Sequence, residues 1–287
     1  MKKILITGAN SFVGVSLQGW LQSYPDDYLI DTIDMRDDKW KETNFSKYDT
    51  VFHVAGIAHV SYKSRNESLY FRINRDLAVE TAELASKAGV SQFIFMSSII
   101  VYGDSFSNSR AITKDTIPNP NNSYGCSKLK AEIGIQALGS DTFKIVILRP
   151  PMIYGKGAKG NYPKLSKLAR TLPVFPDYDN QRSMLYIDNL CEFIRLIIEN
   201  EEQGVFFPQN SEYVKTSELV KLISENYNKR ILFLKIFNPI ISLMIRCNTT
   251  INKLFGNFVY EKNISVYKEN YQLYDLKDSI HITENNQ

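Results

Sequence analysis

Residues 2–14, KKILITGANSFVG, decide the fold. Ile4, Leu5 and Ile6 form a short apolar run that ends on Thr7 and Gly8, and a helical pattern starts at Phe12. A strand turning through glycine into a helix is the setting in which backbone N–H groups and the helix dipole hold a pyrophosphate. Gly8 supplies the tight turn and Gly14 the close helix–strand packing, with Asn10, Ser11, Phe12 and Val13 completing the cofactor-facing loop. Asp34 follows Gly14 by 20 residues, at the end of a second strand run, where a carboxylate accepts hydrogen bonds from a ribose. Either feature alone is a turn or a surface acid; together they indicate a dinucleotide site. Asp34 repels a 2′-phosphate and favours NAD, whereas Arg36, two residues on, can accommodate NADP.

Outward from that turn, short apolar runs alternate with helical patterns, the signature of a parallel sheet built from βαβ units. After the strand at 2–7 the spacing predicts a helix over 12–23 and strands at 28–34, 50–54, 92–97 and 143–148. Helices are expected over 67–88 and 123–138; in the first, Leu69, Ile73, Leu77, Leu84 and Ala88 recur at near-helical spacing. The pattern gives an α/β class, a doubly wound parallel sheet over residues 1–150. After Arg149-Pro150-Pro151, glycine, proline and lysine crowd 155–176, then helices are expected at 187–199 and 216–227. Residues 151–287 read mostly as a smaller C-terminal substrate-binding lobe, with some segments returning to the first domain.

The apolar stretch 235–247, KIFNPIISLMIRC, is too short for a span of about 20 residues and is interrupted by Asn238 and Pro239. It reads as a helix covering a substrate cleft rather than as a membrane contact. The last dozen residues are polar and read as a disordered tail.

The 34 basic and 31 acidic residues are interspersed and leave a net charge of +3, which argues against a dedicated nucleic-acid binder. Cys126, Cys191 and Cys247 are odd in number and lack metal-ligand spacing. Neither a disulfide framework nor a metal site is expected, and a reducing, cytoplasmic setting fits. MKKILITGAN meets its glycine turn too early for a signal peptide. His53 and His59 read as fold or cleft-lining residues, and His281 falls in the tail.

Tyr124-Gly-Cys-Ser-Lys128 opens a predicted helix and puts Tyr124 and Lys128 four residues apart on one face. A free phenol titrates near 10 and is a poor acid–base group at neutral pH. A neighbouring ammonium and a positively charged nicotinamide both favour the phenolate. Ser98, at the end of the strand in FMSSIIVYG, is placed to orient a substrate oxygen.

TGANSFVG (7–14), HVAG (53–56), INRDLAVETAELASKAGV (73–90), SSIIVYG (97–103), YGCSK (124–128) and LRPPMIYG (148–155) lie in a telling order and spacing. They resemble the NAD-dependent epimerase/dehydratase family, the extended branch of the short-chain dehydrogenases. The resemblance implies a Rossmann fold with Ser98, Tyr124 and Lys128 as catalytic triad, Lys128 also holding the nicotinamide ribose. It implies that Ala55 and Gly56 border the cofactor, that Pro150 and Pro151 line the nicotinamide, and that Asn74 supports the strand ends. The family pattern TGxxGxxG has Ser11 in place of its middle glycine; a small residue still permits close approach, and its hydroxyl can bond a phosphate. The family's arginine for the diphosphate of a nucleotide sugar matches Arg182 in NQRSMLYIDN, followed by Asp188, and an arginine is a bidentate phosphate donor. Asn161 is a second contact in KGNYPKL, a loop made basic by Lys156, Lys159 and Lys164.

The family's dehydratases carry an acidic pair directly after the catalytic hydroxyl, where this chain has Ile99 and Ile100, so dehydration is not expected. Where epimerases show an asparagine, this chain has Met152. RPPMIYG, GNYPKL, NQRS and KLFGN resemble reductases and epimerase-like proteins of capsule and O-antigen gene clusters. The expected activity is reduction of the C4 keto group of a UDP-4-keto-6-deoxy-N-acetylhexosamine with NAD(P)H. A UDP-sugar 4-epimerase is the alternative, followed by a non-catalytic dinucleotide sensor. By analogy, helices 67–88 and 123–138 pair across a homodimer.

Overall fold

The computed structural model describes residues 1–58, 67–103 and 111–285; His59 lies outside them. The strands are β1 (Lys2–Thr7), β2 (Tyr28–Ile33), β3 (Thr50–His53), β4 (Gln92–Met96), β5 (Lys144–Leu148), β6 (Met152–Tyr154), β7 (Val174–Pro176), β8 (Met184–Tyr186), β9 (Gly204–Phe206) and β10 (Leu232–Leu234). The helices are α1 (Phe12–Leu21), α2 (Glu67–Tyr70), α3 (Leu77–Lys87), α4 (Ser123–Gln136), α5 (Asn161–Thr171), α6 (Ile187–Glu199), α7 (Thr216–Asn226), α8 (Asn238–Cys247), α9 (Thr249–Phe255) and α10 (Leu276–Asn285).

The chain divides into two compact units. The first comprises Met1–Gly103, Pro118–Pro150 and Leu190–Pro208 and holds a six-stranded sheet in the order β2-β1-β3-β4-β5-β9. Every pairing in it is parallel. This is the Rossmann-like α/β sheet read from the sequence, with one strand, β9, added at its edge. The strands are apolar on both faces because helices cover both. On one face Leu5, Val51, Phe93, Phe95, Ile145 and Ile147 pack with Ala78, Ala82 and Ala85 of α3 and with Ala131 and Ile135 of α4. The alternate residues, among them Ile4, Ile6, Phe52, Ile94 and Val146, are fully buried on the other face. There α1 is tied to α6 by the Trp20 indole N–H, which donates to Glu192 at 3.0 Å.

The second unit comprises Pro151–Asn189 and Gln209–Gln287, with the described part of Asp104–Ile117. Its two small parallel ladders join β6 to β8 and β7 to β10.

Three expectations are corrected. The helix expected over 67–88 is broken by a π-helical stretch, Phe71–Asp76, between α2 and α3. That wider turn carries Asn74, fully buried, whose side chain bonds the Ile57 N–H and C=O at 2.8 and 2.9 Å. The tail expected to be disordered forms α10, with Leu276, Ile280, Thr283 and Glu284 buried. The helix expected over 235–247 starts at Asn238, after a 3-10 turn Lys235–Phe237, with Pro239 in its first turn, where a proline loses no helical hydrogen bond. Ile241 is the buried residue of α8, while Ile240 and Leu243 are exposed.

Candidate active site

β2 and β3 lie on opposite sides of β1, so the chain leaves β1 one way and returns on the other. Such a switch opens a crevice beyond the carboxyl ends of the strands. Gly8 sits there with φ +81°, and a Cβ on it would stand 3.0 Å from both the N and Cα of Ala55. The tight turn and the neighbourhood of Ala55 therefore both require glycine. Ser11 caps α1, its hydroxyl oxygen accepting the Gly14 N–H at 3.0 Å. Its lone pair serves the helix, while its O–H remains a donor. Asn10 is exposed and Phe12 half-buried, whereas Val13 and Gly14 are buried and can offer only backbone. Asp34 is bound by Arg36: the guanidinium Nε donates to both carboxylate oxygens at 2.9 and 2.8 Å, and a terminal nitrogen bonds Oδ2. That pairing holds the Asp34 carboxyl below its usual range. The loop, the glycine against β3 and the helix N-terminus fit a dinucleotide pyrophosphate.

Tyr124 stands in the first turn of α4, which Asn122 caps by accepting the Gly125 N–H at 2.9 Å. Ser98 caps the short 3-10 turn Ile99–Tyr102, and the Ile99 N–H is anchored on the Pro150 carbonyl at 2.9 Å. Burial raises the Tyr124 phenol and the nearby Ser98 hydroxyl draws it partly back, leaving it pushed up to about 12. One turn along α4, Lys128 is 4% exposed, and its ammonium donates to the Met96 carbonyl at 2.8 Å. It lies 4.6 Å from the Phe95 ring centroid. Burial lowers Lys128 to about 8, partly offset by Glu132. A Cβ on Gly56 would sit 2.9 Å from Asn74 Oδ1 and 3.3 Å from Lys128 Nζ, so the cofactor-bordering loop and the lysine are neighbours. Asn74 Nδ2 also reaches the Ser127 hydroxyl at 3.2 Å, tying that loop to α4.

Sequence reasoning missed the layer beneath. Glu132, fully buried one turn beyond Lys128, takes a fork from Arg149 (Nη2 to Oε2, 2.6 Å; Nε to Oε1, 3.1 Å) and the Ser97 hydroxyl. Arg149 also donates to the Tyr102 hydroxyl at 2.6 Å. The pair thus pins both flanks of the turn that follows Ser98. Its signal was a glutamate four residues after the lysine and an arginine closing β5.

In the second unit Arg182 and Asn161 line one pocket, with Met152, Met184, Thr216 and Lys253. Arg182 donates to the Gly256 carbonyl at 2.9 Å, and among the described residues no carboxylate pairs with it. Burial lowers its guanidinium to about 10. A half-buried guanidinium so placed can offer its remaining donors to an anion. Burial raises the Asp188 carboxyl, with the Tyr186 hydroxyl acting in the opposite direction. Thr216 and Lys253 were not anticipated. Pro151 is buried at the start of the unit.

A model of the NAD dependent epimerase/dehydratase family matches residues 4–207. The chain is 29% identical over 279 residues to a UDP-glucose 4-epimerase of Vibrio cholerae, covering 89% of this chain and 83% of that protein. It is 26% identical to a GDP-6-deoxy-D-mannose reductase of Pseudomonas aeruginosa (78% and 80% covered). It is also 26% identical to an N-acetyl-alpha-D-glucosaminyl-diphospho-ditrans,octacis-undecaprenol 4-epimerase of Escherichia coli O157:H7 (92% and 84% covered).

Proposed function

Since the chain belongs to the NAD dependent epimerase/dehydratase family, we propose that it is a nucleotide-sugar oxidoreductase that reduces a C4 keto group on a UDP-linked 4-keto-6-deoxy-N-acetylhexosamine. The observation that carries the reading is the Ser98–Tyr124–Lys128 cluster, followed by Ile99 and Ile100 where a dehydratase needs acids. Gly8, Ser11 and the N-terminus of α1 hold the pyrophosphate, and Asp34 with Arg36 meets the adenosine ribose. The bound nicotinamide supplies the hydride. Ser98 holds the sugar oxygen by a hydrogen bond, and Tyr124 donates its proton to that oxygen. The phenol is protonated at neutral pH and can deliver that proton to the sugar oxygen. Lys128 holds the ribose and its positive charge lowers the cost of the phenolate left behind. Arg182 and Asn161 bind the diphosphate in the second unit.

A 4-epimerase is the second reading, favoured by the relatives from Vibrio cholerae and Escherichia coli. It uses the same residues in both directions. Two incubations separate them. With the 4-keto sugar and reduced cofactor, a reductase consumes the cofactor's absorbance in step with sugar formed. With UDP-N-acetylglucosamine, an epimerase changes the sugar with no net absorbance change. Tyr124→Phe should lower turnover at least about a hundredfold while retaining cofactor affinity. Full turnover by that variant would remove the proton donor from the mechanism.

A further inference from the structure

Residues 226–260 carry five cations, Lys229, Arg230, Lys235, Arg246 and Lys253, and no carboxylate. That stretch alone is +5, in a chain whose net charge is +3, so the rest of the molecule is net negative. The same stretch holds five of the chain's exposed large apolar side chains: Leu232, Ile236, Phe237, Ile240 and Leu243. Ile236, Ile240 and Leu243 follow one another at spacings of four and three, which stacks them on one face of the Lys235–Phe237 turn and α8. They are 76%, 60% and 70% exposed. Ile241, the single buried residue of α8, points the opposite way. Lys235 and Arg246 are eleven residues apart, about three turns, and both are exposed along one edge of the stripe. Asp177, within electrostatic reach of Lys235, is already paired with Lys215 at 2.8 Å.

An apolar stripe with a cationic margin on a short helix is the form of a segment that lies in a bilayer interface. No helix among the described residues is long and apolar enough to cross a membrane. We propose that the α8 face docks the second unit onto an anionic phospholipid surface. Ile236, Ile240 and Leu243 enter the headgroup–acyl boundary, while Lys235, Arg246 and their neighbours meet phosphate. The docking does not depend on which sugar reaction the chain performs.

Co-sedimentation of the purified full chain with vesicles of phosphatidylcholine alone, or of phosphatidylcholine mixed with phosphatidylglycerol, tests this. Partition onto the anionic vesicles should exceed that onto neutral ones by about tenfold or more and fall in high salt. Ile240→Ser/Leu243→Ser and Lys235→Glu/Arg246→Glu should each remove most of it, while thermal unfolding and turnover of a soluble nucleotide sugar stay at wild-type values. Absence of binding to anionic vesicles overturns the proposal, as does binding that both variants leave intact. A change from dimer to monomer on Ile240→Ser/Leu243→Ser, without vesicle binding by the parent, also overturns it and makes the face a contact between copies of the chain.

Discussion

His53 ends β3 with Nδ1 3.0 Å from the Thr7 hydroxyl and stacks between Phe93 and Phe95 at 5.9 and 6.0 Å. It is fully buried, and its Nε2 has no partner among the described residues. Burial, with Lys128 nearby, lowers this imidazole to about 3. In the unfolded chain it titrates near 6.5, so between those values the unfolded state takes up a proton that the folded state does not. Its contribution to stability is therefore complete above pH 6.5 and is lost as the pH falls towards 3. From pH 7 to pH 5 the loss should be about 2 kcal/mol. Urea unfolding of wild type and of His53→Asn at those two pH values checks it. The variant should lose that much less stability on acidification, and parallel losses would place the acid sensitivity elsewhere. Sequence alone gave His53 a fold or cleft-lining role but not this reason, because nothing in HVAG reveals that one ring nitrogen has no partner among the described residues.

Among the elements, α10 shows where polarity misled. The sequence from Leu276 is polar because its buried side carries Ser279, Thr283 and Glu284 beside Leu276 and Ile280. Glu284, 3% exposed, accepts from the hydroxyls of Tyr162 at 2.7 Å, Ser166 at 3.0 Å and Tyr227 at 2.8 Å, which fastens α10 to α5 and α7. Glu284→Ala leaves at least one buried hydroxyl without an acceptor and should cost about 2–4 kcal/mol. Glu284→Gln keeps an acceptor and should cost less. Thermal unfolding ranks the three proteins, and an alanine variant as stable as wild type would make α10 an ornament of the fold. The strands β1 to β5, by contrast, were legible within a residue or so, and in β3, β4 and β5 burial on both faces writes itself as apolar runs. The placement of Tyr124 and Lys128 one turn apart on a helix was equally legible, because the helical pattern of 123–138 is local. The π-helical turn at Asn74 was not: the residue it carries brackets Ile57 by hydrogen bonds, and no local spacing encodes that. Glu132 and Arg149 escaped for the same reason, being partners distant in sequence.

For the molecule as a whole, two separate surfaces remain to be assigned partners. The α8 face is apolar with a basic margin and suits lipid. On the first unit, α3 and α4 pack so closely that a Cβ on Gly134 would lie 2.8 Å from a Val79 methyl. Beside Gly134, Ile133 is 61% exposed on α4. An isolated exposed isoleucine is ordinary, but one on the pair of helices that closes the sheet is well placed for a twofold contact in which each residue meets its own copy. We propose that two chains pair through α3 and α4. Light scattering should then give twice the 33.0 kDa of one chain, and Ile133→Glu, which buries two like charges across the twofold axis, should return a single chain. Ile240→Ser/Leu243→Ser should leave the doubled mass unchanged, because the lipid-facing helix lies on the other unit. A wild-type protein that scatters as one chain, or a dimer that survives Ile133→Glu, would sink the pairing and leave unit 1 without a self-contact at α4.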